Sequence, residues 1–336
     1  MSMPAAVSLA VLASSLASVP FKLGTFEAQG KTFVGLVRAD QAVVEVAGVA
    51  DMRDLIARYD ELRAALNALA QEPRPSGARV HALKAVKLRP PIPNPETMLN
   101  AAVNYTEHEA EMQGRPAAAA PPPASLPRSA PGLWERRPDD VRQNPYLFAK
   151  PRTALIGDGE TIRIPPGRDQ IDWECELAVV IGRRASRVPA ERAAEHVFGY
   201  TLENDVSDRG GRGDSRHGSD WLVGKAHDTF APLGPFIVPK EFVPDPHKLA
   251  IKFSLSGKPM QDSSTERMTH SVYEMLQYAS NILTLQPGDV ISTGSPAGVG
   301  SARNPPIFMK PGDVAECTIE GIGTLTNPVA AAEPGR

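Results

Sequence analysis

Three acids stand at alternate positions in "QIDWECELAVVIG" (170–182), namely Asp172, Glu174 and Glu176, and they lead into the apolar run Leu177-Ala178-Val179-Val180-Ile181. In an extended chain, residues i, i+2 and i+4 face one side at intervals of roughly 6.5–7 Å. The three carboxyls therefore share a face, while Trp173, Cys175 and Leu177 take the other. Neighbouring anions resist burial unless a cation offsets them. Two readings satisfy that rule. One is a solvated strand end with exposed acids. The other is a hard-cation site, because Mg²⁺, Mn²⁺ and Ca²⁺ prefer carboxylate oxygens.

Other stretches carry residues able to do chemistry. In "NYTEHEAEM" (104–112), His108 and Glu111 are spaced i, i+3, which makes them neighbours on a helical turn. Glu111 can then orient the imidazole and raise its basicity. Asp205 lies in "GYTLENDVSDR" (199–209), and Lys225 in "WLVGKAHDTFAPLGP" (221–235). The small residues of "LQPGDVISTGSPAGVG" (285–300) can bring backbone N–H groups against a carboxylate.

Together and in this order, these five stretches resemble the fumarylacetoacetate hydrolase family, over residues from about 85 to 329. The resemblance implies an α+β, mainly β fold: a mixed β-roll or β-sandwich C-terminal domain with a small N-terminal α+β module. It implies a divalent metal, Mg²⁺ or Mn²⁺, on Glu174, Glu176 and Asp205, with Asp172 in support. Catalytic roles are implied for His108, Glu111 and Lys225, the lysine as an enolate or oxyanion stabiliser. Substrate contacts are implied for Tyr105, Arg209, Arg212 and Ser295. The activity implied is hydrolysis of a C–C bond in a β-diketo acid of the acylpyruvate type, as in aromatic catabolism. Metal-dependent decarboxylation of a 2-oxo acid and isomerisation of an unsaturated oxo-diacid are alternatives on the same scaffold. A non-catalytic metal-binding protein is a third. A small-molecule oxo-acid partner and a homodimer are implied as well.

The chain departs from the family pattern in two places. Where many relatives read Ser-Ala-Arg-Asp-x-Gln, it has Ser207-Asp208-Arg209-Gly210-Gly211-Arg212. Arg209 is retained, but a fixed cation replaces the usual glutamine, which predicts a preference for an additional anionic group on the substrate. Ser295, where relatives often have threonine, keeps a hydroxyl. The second departure is a long insert after Glu111.

The elements that must position these residues are mostly strands. Residues 21–48 read as short strands with turns at Gln29-Gly30 and Ala39-Asp40. "DMRDLIARYDELRAALNALA" (51–70) reads as one helix, with Leu55, Leu62, Leu66 and Leu69 on a stripe. A second helix is predicted at about 271–283, carrying Val272, Met275, Leu276, Ala279 and Leu283. The predicted organisation is an N-terminal extension (1–20), a small module (21–84) and a catalytic domain (85–330). Within that domain, residues 113–145 hold eight prolines, so no regular helix passes through them and a flap or lid over the site is expected.

Bulk properties narrow the class. With 336 residues, 42% hydrophobic, 22% charged and a net charge of −3, the chain is an ordinary globular sequence with no global attraction for nucleic acid. The two cysteines, Cys175 and Cys317, predict neither a disulfide framework nor a zinc site, which fits a reducing, cytoplasmic setting. The apolar stretch 4–19 lacks the basic residues that open a secretory signal and is too short to span a membrane as a helix.

Overall fold

A computed structural model describes residues 19–72, 77–112, 114, 128–211 and 220–333. The extension before residue 19, residues 113 and 115–127 of the flap, and Arg212 lie outside the described residues.

The acid-bearing strand Cys175–Ile181 runs through the middle of a twelve-stranded sheet. It pairs antiparallel with Val197–Asn204 on one side and with Val290–Ser292 on the other. Beyond Val290–Ser292 come Met98–Ala101 and Leu147–Ala149. Beyond Val197–Asn204 comes Ala231–Pro239, whose Ile237 pairs with Leu23. The N-terminal hairpins Lys22–Ala28, Lys31–Arg38 and Ala42–Glu45 thus continue the same sheet. Positive φ at Gln29, Gly30, Ala39 and Asp40 (51°, 74°, 46° and 52°) makes the two tight turns expected there.

A second, five-stranded sheet packs across the first. Leu177, Val179 and Ile181 meet Ile251, Phe253, Ile319 and Leu325 in the main core between them. On its opposite face the same strand turns Ala178 and Val180 towards Leu55, Ile56 and Leu66. Burial on both faces explains the unbroken apolar run.

Two expectations are corrected. Residues 51–70 form two helices, Met52–Ala57 and Tyr59–Gln71, because Arg58 leaves helical geometry (φ −104°, ψ 14°) and binds the Gly48 carbonyl, Asp54 and Glu61. Cys175 and Cys317 form a disulfide with Cα atoms 5.4 Å apart across 142 residues of chain. The cysteines lie on strands of the two facing sheets, a meeting that sequence spacing does not encode.

The helix Val272–Ile282 starts at Ser271, which forms a capping box with Glu274. The described part of the flap is seated on it. Trp134 is buried, Arg142 bonds the Thr269 carbonyl and Glu274, and Asn281 donates to the Leu133 carbonyl.

Candidate metal site and general base

The register of one strand pair builds the site. Cys175 pairs with Asn204 and Glu176 with Glu203. One step further on, the Asp205 N–H bonds the Glu174 carbonyl at 2.8 Å, and Asn204 Oδ1 accepts from the Glu174 N–H. Cross-strand partners point to one side of a sheet. Four carboxyls, from Glu174, Glu176, Glu203 and Asp205, therefore crowd one face. Ligand atoms of Glu174, Glu176 and Asp205 all lie within 4.8 Å of one another.

Among the described residues, three cations answer the four acids. Lys225 Nζ bonds Glu174 Oε2 and Asp205 Oδ2, each at 2.7 Å. Lys150, with a fully buried side chain, reaches Asp205 Oδ1 at 2.5 Å. Arg209 bonds Asp172 and Glu174. Burial pushes the Glu174 carboxyl up, but Lys225, Arg209 and His108 together reverse this and hold it well below the usual range. Glu176 has no such help. Burial and the charges of Asp205 and Glu174 push it far above its ordinary value. Its Oε2 is held by Ser292 Oγ at 2.6 Å and the Gly294 N–H at 2.8 Å, while Oε1 has no hydrogen-bond partner among the described residues. A buried, unpartnered carboxylate oxygen beside two more acids suits a hard divalent cation, so the donor set fits Mg²⁺ or Mn²⁺.

The helix Thr106–Met112 carries the second part of the site. Glu107 fixes that helix through Ser263 and Arg267, and Asn104 bonds the His270 and Thr293 carbonyls at its start. His108 is buried, and its Nδ1 lies 3.1 Å from Glu111 Oε2. Glu111 is held in turn by the Gly298 N–H at 2.9 Å. His108 interacts electrostatically with Glu174, so the imidazole stands beside the acid cluster.

The remaining sequence candidates fall in different places. Asp172 is not in the triad; its carboxyl accepts from the Gly300 and Ser301 N–H groups at 2.6 and 3.0 Å. Arg209, implied as a substrate contact, directs its guanidinium to Asp172 and Glu174. Tyr105 is fully buried, and its hydroxyl, pushed up by burial and by Glu176, has no partner among the described residues. Ser295 is buried and accepts from Gln261 Nε2 at 2.8 Å, which ties it to the second sheet. Lys150, Glu203 and Ser292 escaped the sequence reading. A polar residue at alternate spacing within an apolar strand, as Glu203 is to Asp205, was the available signal.

Comparison with known proteins decides the family. The model for the fumarylacetoacetate (FAA) hydrolase C-terminal domain matches residues 97–330, the segment that holds the whole site. The chain belongs to the fumarylacetoacetate hydrolase family. A mitochondrial oxaloacetate tautomerase of Xenopus laevis is 38% identical over 244 residues, covering 73% of this chain and 68% of that protein. One from Bos taurus is 44% identical over 189 residues, covering 56% and 60%. Among solved structures, maleylpyruvate hydrolase from Sphingobium sp. SYK-6, in complex with manganese(II) ion and pyruvate, is 27% identical with a TM-score of 0.70, covering 93% of this chain and 100% of that one. The 2-hydroxyhepta-2,4-diene-1,7-dioate isomerase from Mycobacterium marinum is 30% identical with a TM-score of 0.67, covering 94% and 100%. Fumarylacetoacetate hydrolase family members with these names are enzymes acting on small oxo- or hydroxy-acids, and the acidic triad here supports a divalent metal.

Proposed function

We propose that this chain moves a proton at the carbon beside the carbonyl of a chelated 2-oxo acid, with keto–enol tautomerisation of an oxaloacetate-like acid as its reaction. The observation that carries this reading is the buried His108–Glu111 pair beside the triad. A divalent metal on Glu174, Glu176 and Asp205 would supply Lewis-acid polarisation of the carbonyl. Glu111 is an acceptor, so the hydrogen it binds sits on His108 Nδ1, and Nε2 is left to take the proton. Lys225, kept cationic because Asp205 and Glu174 outweigh its burial, can offset charge that develops on the substrate oxygen. The relatives named oxaloacetate tautomerases, at 38% and 44% identity, support this choice.

A second reading is hydrolysis of an acylpyruvate, in which His108 activates water for attack on the 4-carbonyl. Likeness to the maleylpyruvate hydrolase favours it.

Both are tested by following enol decay of oxaloacetate and pyruvate release from acylpyruvates with Mg²⁺-loaded protein. The first reading expects oxaloacetate tautomerisation well above the buffer rate. Pyruvate release without tautomerisation would replace it by the second, and neither activity would reject both. His108→Ala should lose roughly 10²–10⁴ in rate, the usual general-base contribution, yet keep its thermal stabilisation by Mg²⁺. Glu176→Ala should lose that stabilisation, which binding to the folded state confers. Unchanged metal stabilisation in Glu176→Ala would remove it from the ligand set.

A further inference from the structure

Residues 146–150 place Tyr146, Phe148 and Lys150 at alternate positions around the strand Leu147–Ala149, on one face of an extended segment. Lys150 marks the inner end, on Asp205. Phe148 comes next, its ring centroid 5.3 Å from Lys225 Nζ, the ammonium that bonds Glu174 and Asp205. Trp221 opens the helix Trp221–Lys225 and lies 4.7 Å from the Phe148 ring and 5.4 Å from that of Tyr146. Exposure rises outward, from 9% at Phe148 to 51% at Tyr146. Three rings thus lead from the carboxylate cluster to solvent.

Phe148 is buried, but among the described residues none of the three rings belongs to the apolar clusters that hold the sheets and helices together. An aromatic side chain left half exposed beside a charged site has its π face available to a ligand. The described cations beside it are engaged: Arg209 with Asp172 and Glu174, Lys225 with Glu174 and Asp205. The described residues therefore offer the outer part of a substrate flat apolar faces rather than a second carboxylate clamp.

We infer that the Phe148–Trp221–Tyr146 ladder is a subsite for the tail of 2-oxo acids larger than oxaloacetate, and that it takes a planar aryl or conjugated group on carbon 3, so that the site accepts such acids beside the oxaloacetate-like one. The inference rests on the 2-oxo-acid reading above. Rings stack or meet edge-to-face at centroid distances of roughly 4.5–7 Å, the spacing this ladder already has.

Binding, rather than turnover, separates this inference from the reading beneath it. Isothermal titration of the Mg²⁺-loaded protein would compare pyruvate (no tail), 2-oxoglutarate (charged tail) and phenylpyruvate (planar tail). Phenylpyruvate should bind about tenfold tighter than pyruvate, equivalent to about 1.4 kcal/mol, and tighter than 2-oxoglutarate. Trp221→Ala and Tyr146→Ala should each cut that advantage to about threefold or less, while Trp221→Phe retains most of it. Leu222→Ala, 74% exposed on the same helix but outside the ladder, should keep the full ratio. Equal affinity for pyruvate and phenylpyruvate would overturn the subsite and leave the 2-oxo-acid reading standing. So would 2-oxoglutarate binding as tightly as phenylpyruvate, or a preference that survives both alanine variants. Should none of the three acids bind, the 2-oxo-acid reading falls and takes the subsite with it. Tyr146→Ala decides the matter if Trp221→Ala does not fold.

Discussion

Glu203 lies directly across the strand pair from Glu176 and is fully buried. Asn100 Nδ2 donates to its Oε2 at 2.8 Å, and its Oε1 has no partner among the described residues. Burial pushes this carboxyl up to about 7, with Lys150 pulling it down and Asp205 pushing it further up. Between the ordinary value of 4.5 and about 7, the folded protein therefore holds a proton that the unfolded chain has released. Stability from this group is complete below that window and is lost as pH rises through it, by on the order of 3 kcal/mol at most. Glu203→Gln keeps an acceptor for Asn100 and removes the titration. In urea unfolding with EDTA at pH 5 and pH 8, the parent should lose stability between the two and the variant should lose markedly less. Identical losses would assign the titration to another group. Glu203 was hard to read from sequence because nothing local distinguishes a buried acid in "GYTLEND" from a surface one. Only its register against Glu176, and Lys150 arriving from a distant strand, give it a role.

The loop after Val290–Ser292 organises the site at the scale of an element. Its backbone N–H groups bind three of the protein's own carboxyls: Gly294 binds Glu176, Gly298 binds Glu111, and Gly300, followed by Ser301, binds Asp172. The small residues of "STGSPAGVG" did predict N–H groups set against a carboxylate. That the carboxylates would be three internal acids, on three separate elements, follows only from the fold. Gly298 shows why the loop needs glycine. Its φ is +105°, and a Cβ there would sit 2.2 Å from the Met260 carbonyl oxygen. Gly298→Ala must shift this loop segment, pulling its N–H from Glu111 and freeing His108 to turn. Turnover should fall by roughly tenfold to a hundredfold, less than the 10²–10⁴ expected for complete loss of a general base, with Mg²⁺ stabilisation largely kept. If turnover is unchanged, the Gly298–Glu111 contact does not position the base.

At the scale of the whole molecule, the acid strand must present carboxyls to the site beside Cys175, which turns into the core. Alternation made both faces legible in "DWECELAVV": acids on one side, and Trp173, Cys175 and Leu177 on the other. It could not say what the second face would meet, because four of the five strands of the opposing sheet come from the last third of the chain. There Trp173 stacks on Phe253 with ring centroids 5.3 Å apart, and Cys175 joins Cys317. The disulfide therefore ties the two sheets together between Glu174 and Glu176, and it closes a loop of 142 residues. Crosslinks of that span restrict the unfolded chain strongly, and removing one typically costs about 2–5 kcal/mol. Cys317→Ala should lower the urea midpoint by a corresponding amount. Its effect on metal affinity should be small, because the triad's contacts to Lys225, Ser292 and Gly294 do not pass through sulfur. Both sulfurs are almost wholly buried, so the parent denatured without reductant should show no reactive thiol, and denatured after reduction it should show both. Free thiols in the unreduced, denatured protein would mean that the two cysteines only pack against each other. The stability lost in Cys317→Ala would then have to come from core packing instead.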